Sequence, residues 1–119
     1  MTRGEIWWAD FGLPDGREGG LKSDGFRRPV LIVQDDAFNE SRIKTIVVLP
    51  LTGNLRLLDA PGNVLVNKKE SRLAEDSVII VAQFYALDRQ KFIEKASKVK
   101  RETMEKVENG MMLVLGINK

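Results

Sequence analysis

Along this chain, short apolar runs alternate with connections rich in glycine, proline and charge, and the spacing changes character near residue 88. Glu5 to Phe11 carries Ile6, Trp7, Trp8 and Phe11, side chains that favour a pleated surface, and predicts a first strand. A loop from Gly12 to Gly25 follows, with glycines at 12, 16, 19, 20 and 25 and Pro14 among charged residues. It leads into Pro29 to Gln34, whose unbroken Val30-Leu31-Ile32-Val33 predicts a buried central strand. Asp35 to Asn39 reads as a polar turn or a single helical turn, and Thr45 to Leu51 as a second β-branched strand. Gly53 to Asn63, ending in Pro61-Gly62-Asn63, predicts a hairpin or loop before the strand Val64-Leu65-Val66. Ser77 to Phe84 is the last clear strand by pattern. Asp88 is a candidate N-cap for a short turn reaching Lys95. From Lys100 to Gly116, Met104, Val107, Met111 and either Val114 or Leu115 recur at helical spacing, with Arg101, Glu102, Glu105, Lys106 and Glu108 mostly on the other face.

Many short strands followed by one helix argue for a mainly β fold, a small antiparallel β-barrel with helices, rather than for βαβ units. At 119 residues the chain is expected to be one domain spanning 1–119.

Composition narrows the chemistry. Hydrophobic residues make up 43% and charged residues 30%, as in ordinary globular proteins. The net charge of +2 announces no polyanion partner, so any basic surface must come from clustering. The absence of cysteine excludes disulfides, thiolate nucleophiles and Cys-based metal sites. The absence of histidine removes the usual general acid/base and the commonest metal ligand. No stretch resembles a signal peptide or a membrane span, so a cytoplasmic location is expected and no membrane contact.

The strongest candidate chemistry lies at Arg27-Arg28-Pro29, where two guanidinium groups meet the start of the buried strand beneath the glycine loop. Planar, permanently charged forks suit phosphate or carboxylate. Two adjacent arginines are more often a solvated rim, but Pro29 stiffens this backbone and the position favours an anion cradle. Thr52, followed by Gly53-Asn54, suits turn chemistry on its own and would need a neighbouring arginine to bind a phosphoryl oxygen. Asp35-Asp36 with Glu40, or Asp15 with Glu18, could ligate magnesium, although adjacent aspartates point apart and turn capping is favoured. Glu18 is a lone loop carboxylate that could serve as a base, against the plainer alternative of a solvated charge. One partner each of Trp7/Trp8 and Phe84/Tyr85 faces outward and could stack on an unpaired base, the other belonging to the core. The mixed-sign charges from Lys95 to Glu108 read as a solvated helix face.

Taken in order, several short segments resemble the MazF/PemK family, the toxin components of type II toxin–antitoxin systems. These are Arg3-Gly4-Glu5-Ile6-Trp7-Trp8-Ala9-Asp10, Arg27-Arg28-Pro29-Val30-Leu31-Ile32-Val33-Gln34 and Asp36-Ala37-Phe38-Asn39. Pro50-Leu51-Thr52-Gly53-Asn54-Leu55-Arg56, Ala60-Pro61-Gly62-Asn63-Val64, Asp76-Ser77-Val78, Gln83, Leu87-Asp88 and Val114-Leu115-Gly116 continue the match. The resemblance implies an SH3-like barrel with a C-terminal helix, acting as a homodimer. It also implies metal-independent, cofactor-free cleavage of single-stranded RNA to 2′,3′-cyclic phosphate and 5′-hydroxyl ends, restrained by a cognate antitoxin whose acidic tail covers the RNA groove. Arg28 would transfer protons and stabilise charge, Thr52 would bind phosphate, and Glu18 would complete the catalytic set. RNA contacts are expected at Arg27, Lys22, Asn54, Arg56, Gln83 and Tyr85. The chain departs from its relatives in the extended Gly20 to Phe26 segment between Glu18 and Arg28, and in Tyr85, where some relatives carry arginine. The same barrel serves CcdB-type toxins, which poison DNA gyrase without cutting anything; Arg28 and Thr52 at their motif positions favour the nuclease alternative.

Overall fold

The computed structural model of the protein describes residues 1–11 and 26–117. Its centre is a seven-stranded antiparallel sheet. The strands are β1 (Glu5–Asp10), β2 (Arg27–Ile32), β3 (Thr45–Thr52), β4 (Val64–Val66), β5 (Ser77–Ile79), β6 (Tyr85–Asp88) and β7 (Phe92–Lys98). They run in the order β4-β5-β3-β2-β1-β7, with β6 also paired to β3. Among the described residues three α-helices, α1 (Asp36–Asn39), α2 (Lys68–Ser71) and α3 (Arg101–Leu115), accompany the sheet in the expected mainly β arrangement with a C-terminal helix.

The apolar run at 30–33 is continuous because β2 is buried on both faces. Leu31 and Val33 enter the main core with Ile6, Leu49, Leu51, Ile79, Val81 and Val107. Their neighbours Val30 and Ile32 enter a second cluster with Ala9, Ile46, Val48 and Leu87. A half-solvated strand would have alternated apolar and polar instead.

The main core is capped by α3, through fully buried Val107 and partly buried Met104 and Met111. Close docking depends on Gly110, where a Cβ would stand 2.3 Å from the carbonyl oxygen of Gly62, itself at a φ of +89° that suits glycine. The helix ends as its glycine predicts: Gly116 is left-handed at φ 73°, and Gly116 and Ile117 donate to the carbonyls of Leu113 and Met112.

The sheet curls, and side chains rather than a strand ladder bring its ends together. α2 follows β4 at one end of the order, whereas β7 lies at the other. Glu70 on α2 accepts from the Lys100 N–H at 2.8 Å and from the Thr103 hydroxyl at 2.6 Å, while its carbonyl accepts from Ser97 Oγ at 2.8 Å.

Several expectations are corrected. The strand foreseen from Ser77 to Phe84 stops at Ile79; Ile80 donates to the Pro50 carbonyl and a turn follows, in which Gln83 donates to Ile80. Two further strands come after it. Residues 92–98, foreseen partly as a turn and partly as a charged helix face, form β7, paired to β1 with two register shifts. Ile93, Glu94 and Lys95 are all exposed, so this strand shows no alternation to read. The 53–63 connection holds a 3-10 turn, Leu55–Asp59, and the single turn α2 had no sequence signal. β2 begins at Arg27, two residues ahead of Pro29, and this shift matters for the site.

Candidate functional site

Strand register decides which of the candidate residues meet. Arg28 pairs with Ala9 and Arg27 with Asp10 across β1 and β2. Between β2 and β3 the pairs are Val30↔Pro50, Leu31↔Leu49 and Ile32↔Val48, and the ladder ends there, with Arg28 two residues before Val30 and Thr52, paired to Val78 of β5, two residues after Pro50. Side chains alternate along a strand, which puts Arg28 on the face of Val30 and Ile32, and Thr52 on the face of Ile46 and Val48. That is one face, the second cluster, with Trp7, Phe11 and Phe92 packed over it.

This face is concave. Phe11 follows β1 and Tyr85 opens β6, with β2 and β3 between them, yet the two rings lie 5.3 Å apart at 74°. The Arg28 guanidinium sits beside the same group, 5.9 Å from the ring of Phe11 and 5.9 Å from that of Phe26. The two phenylalanine rings are themselves 6.3 Å apart, edge to face. Each cation–π contact is worth roughly 0.5–1 kcal/mol at an exposed site. Among the described residues no carboxylate pairs with Arg28, and the aromatic rings steady the cation.

Arg27 is placed differently. It is the exposed one of the pair, 5.6 Å above the ring of Trp8, and its Nη2 donates to Glu94 Oε1 at 3.2 Å. An exposed pair of this kind contributes little stability, but it offsets part of the Arg27 charge.

Thr52 is half-buried at the end of β3, and its Oγ1 accepts from the Asn54 N–H at 3.2 Å. The expected turn chemistry is therefore present, yet a hydroxyl that accepts still holds a proton to donate. Asn54 in turn accepts from the Arg56 N–H at 3.2 Å as N-cap of the 3-10 turn, with Arg56 exposed on it. Gln83 is exposed in the turn before β6, where Tyr85 pairs with Val48. Arg28, Thr52 and Tyr85 thus share the concave face, Arg56, Asn54 and Gln83 occupy exposed turns, and Glu18 and Lys22 lie outside the described residues.

The tryptophans divide as alternation requires. Trp7 packs edge-on against Phe92 at 6.1 Å, and its indole N–H donates to Glu5 Oε1 at 2.9 Å. Burial pushes the Glu5 carboxyl up, but donation from Trp7 and from the Thr2 amide and hydroxyl, with Lys95 3.3 Å away, outweighs it and brings the pKa down to about 2. An ionised Glu5 therefore anchors this floor at neutral pH. Asp35 and Asp36 serve as caps: Asp35 accepts from Ala37, while Asp36 accepts from the Arg3 amide at 2.7 Å and from Asn39 at 2.9 Å, which hold its carboxyl below the usual range.

Phe11 and Phe26 were absent from the site expected from sequence. Phe26 lies two residues before Arg28, so a strand beginning at Arg27 shows that both project to one side; a strand begun at Pro29 hides it.

Comparison with known proteins bears on this geometry. Residues 2–115 match the model of the family described as PemK-like, MazF-like toxin of type II toxin-antitoxin system. The protein is 34% identical over 117 residues to endoribonuclease MazF2 of Mycobacterium bovis, covering 98% of each chain. It is equally similar, 34% over 117 residues, to endoribonuclease MazF6 of Mycobacterium tuberculosis, again covering 98% of each chain. Among solved structures, a mycobacterial endoribonuclease in complex with its cognate antitoxin aligns with a TM-score of 0.79 at 20% identity, covering 100% of this chain and 98% of that one. The MazE-MazF structure from Deinococcus radiodurans aligns with a TM-score of 0.73 at 18% identity, covering 99% and 97%. At those identities the structural likeness speaks for the fold.

Proposed function

Because the chain belongs to the PemK-like, MazF-like toxin family of type II toxin–antitoxin systems, we propose that it is an endoribonuclease toxin whose cutting site is the concave face around Arg28. The observation that carries this is the placing of Arg28 and Thr52 on one sheet face, with the Arg28 guanidinium beside the rings of Phe11 and Phe26. RNA brings its own nucleophile. The 2′-oxygen attacks the adjacent phosphorus, the bond to the 5′-oxygen breaks, and the products are a 2′,3′-cyclic phosphate and a 5′-hydroxyl. No group outside the RNA need become covalently bonded, so positioning and charge stabilisation can supply most of the rate.

Arg28 is suited to the charge that builds on the phosphoryl oxygens, and the Thr52 hydroxyl to hold one of them in place. Tyr85 and the exposed Phe84 offer rings on which bases can stack. Glu18 and Lys22 complete the proposed set from the loop, with Arg27, Asn54, Arg56 and Gln83 as flanking RNA contacts. The unit is taken as a single domain over 1–119 that works as a homodimer in the cytoplasm, held in check by a cognate antitoxin; among the described residues no helix is long and apolar enough to cross a membrane. The family match and the relatives' names favour this over a gyrase-poisoning toxin on the same barrel.

Purified protein incubated with single-stranded RNA in EDTA tests the proposal. Fragments ending in 2′,3′-cyclic phosphate and starting with 5′-hydroxyl are expected; intact RNA, or cleavage that appears only on adding a divalent cation, would overturn it.

A further inference from the structure

Between α2 and β7 lies a cavity of about 690 Å³ that the reaction does not use. Cations from three places meet there: Lys69 and Arg72 at α2, Lys95 and Lys98 on β7, and Lys100 at the start of α3. Its carboxylate is Glu70, whose Oε2 is already committed to the Lys100 amide and the Thr103 hydroxyl. Lys95 shares Glu5, and among the described residues no carboxylate pairs with Lys69, Arg72, Lys98 or Lys100. In a chain whose net charge is only +2, this is a local concentration of positive field.

We infer that this groove is a second RNA contact, holding phosphates of the strand that flanks the cleaved bond; the inference rests on the nuclease proposal above. Continuity with the concave face supports it. β7 starts at Phe92, on the floor of that face against Trp7, and Lys95 pairs with Trp7 across to β1. At about 3.3 Å per residue, the strand carries the route roughly 10 Å from Phe92 to Lys95 and another 10 Å to Lys98. The lining also points to a phosphate chain. Apart from Ala96 every residue around the cavity is polar or charged, so it lacks the apolar anchors on which a docked peptide depends. Flexible lysines are point charges that follow a phosphate backbone without reading its sequence. Flanking RNA would therefore add affinity and salt sensitivity, and leave the choice of cleaved sequence to the concave face.

The test is a triple variant, Lys69→Gln, Arg72→Asn and Lys100→Gln, which spares Lys95 as the partner of Glu5 and gives the left-handed position 72 a residue that tolerates it. Binding of a 2′-deoxy, uncleavable RNA is measured across salt concentrations, once as a minimal oligonucleotide and once extended on both sides. The variant is expected to bind the extended strand about tenfold more weakly, with a salt slope shallower by about two, at roughly 0.7 per phosphate contact. It should bind the minimal 2′-deoxy strand, and cleave the all-ribose form of that minimal strand, as the parent protein does, which also shows that it is folded. An unchanged affinity and slope for the extended strand would overturn the inference, as would equal losses on both strands. Loss of binding to a polyglutamate peptide with RNA binding intact would assign the groove to an acidic protein segment instead. If the parent protein cuts no RNA at all, the nuclease proposal fails and takes this one with it; if it cuts and the variant matches it on extended RNA, only the groove is refuted.

Discussion

The two faces of the sheet are built from the same strands and finished in different ways. Leu31 and Leu49 point into a core sealed by α3, where a helix backbone approaches the 60–63 turn too closely for any side chain at Gly110. Val30 and Val48, one residue away, point to a face that among the described residues is covered by rings and a guanidinium. Both clusters exclude water. The difference lies in the cover: a helix held by backbone contact is fixed, whereas rings and a long cationic side chain can part for a ligand. Stability is therefore concentrated on one side and chemistry on the other, and substitutions should separate them.

The sharpest separation is expected from Arg28→Ala. Losing a group aimed at the charge of the transition state should lower RNA cleavage by roughly 10²–10³-fold, while thermal unfolding stays close to that of the parent protein. Equal loss of both would show that Arg28 holds the fold rather than the substrate. The converse variant is Gly110→Val. Its side chain would collide with the Gly62 carbonyl and cost on the order of 3 kcal/mol, read as a lower urea midpoint, whereas the molecules that remain folded should cut RNA at the parent rate. A fall in specific activity without a change in midpoint would join what the two faces divide. Smallest is the effect of replacing Phe11 and Phe26 together by Leu. Apolar area is largely kept and the π faces are lost, so about 1 kcal/mol of support for Arg28 disappears. A severalfold drop in kcat with KM unchanged is the expected result, and Tyr at both positions should restore it; no difference between Leu and Tyr would leave the rings a packing role only.

The sequence made the buried half of this comparison legible because burial leaves a periodic record. The run at 30–33, the β-branched 45–51 segment and the 3.6-residue spacing of Met104, Val107 and Met111 each reflect a face that excludes water. What escaped was held by other means. β7 pairs through its backbone while exposing Ile93, Glu94 and Lys95, so its side chains carry no period. α2 is one turn long, fixed by the Asn67 cap and by Glu70, and neither residue announces it. At the site, Arg28 and Thr52 were legible as motif residues, but their sharing of one sheet face depends on a β2–β3 register that only the folded chain displays. Phe11 and Phe26 were visible as aromatics without a reason to join them to Arg28.

The Glu70 clasp also orders events in time. Its partners Ser97, Lys100 and Thr103 lie 27 to 33 residues further along, the last of them in the helix that seals the core. A chain emerging from synthesis carries Arg28 and Thr52 early, yet the Glu70 contacts cannot form until residues 97–103 are available, and such distant closures are slow to form. Closure of the curl thus waits on residues 97–103, long after Arg28 and Thr52 have been made.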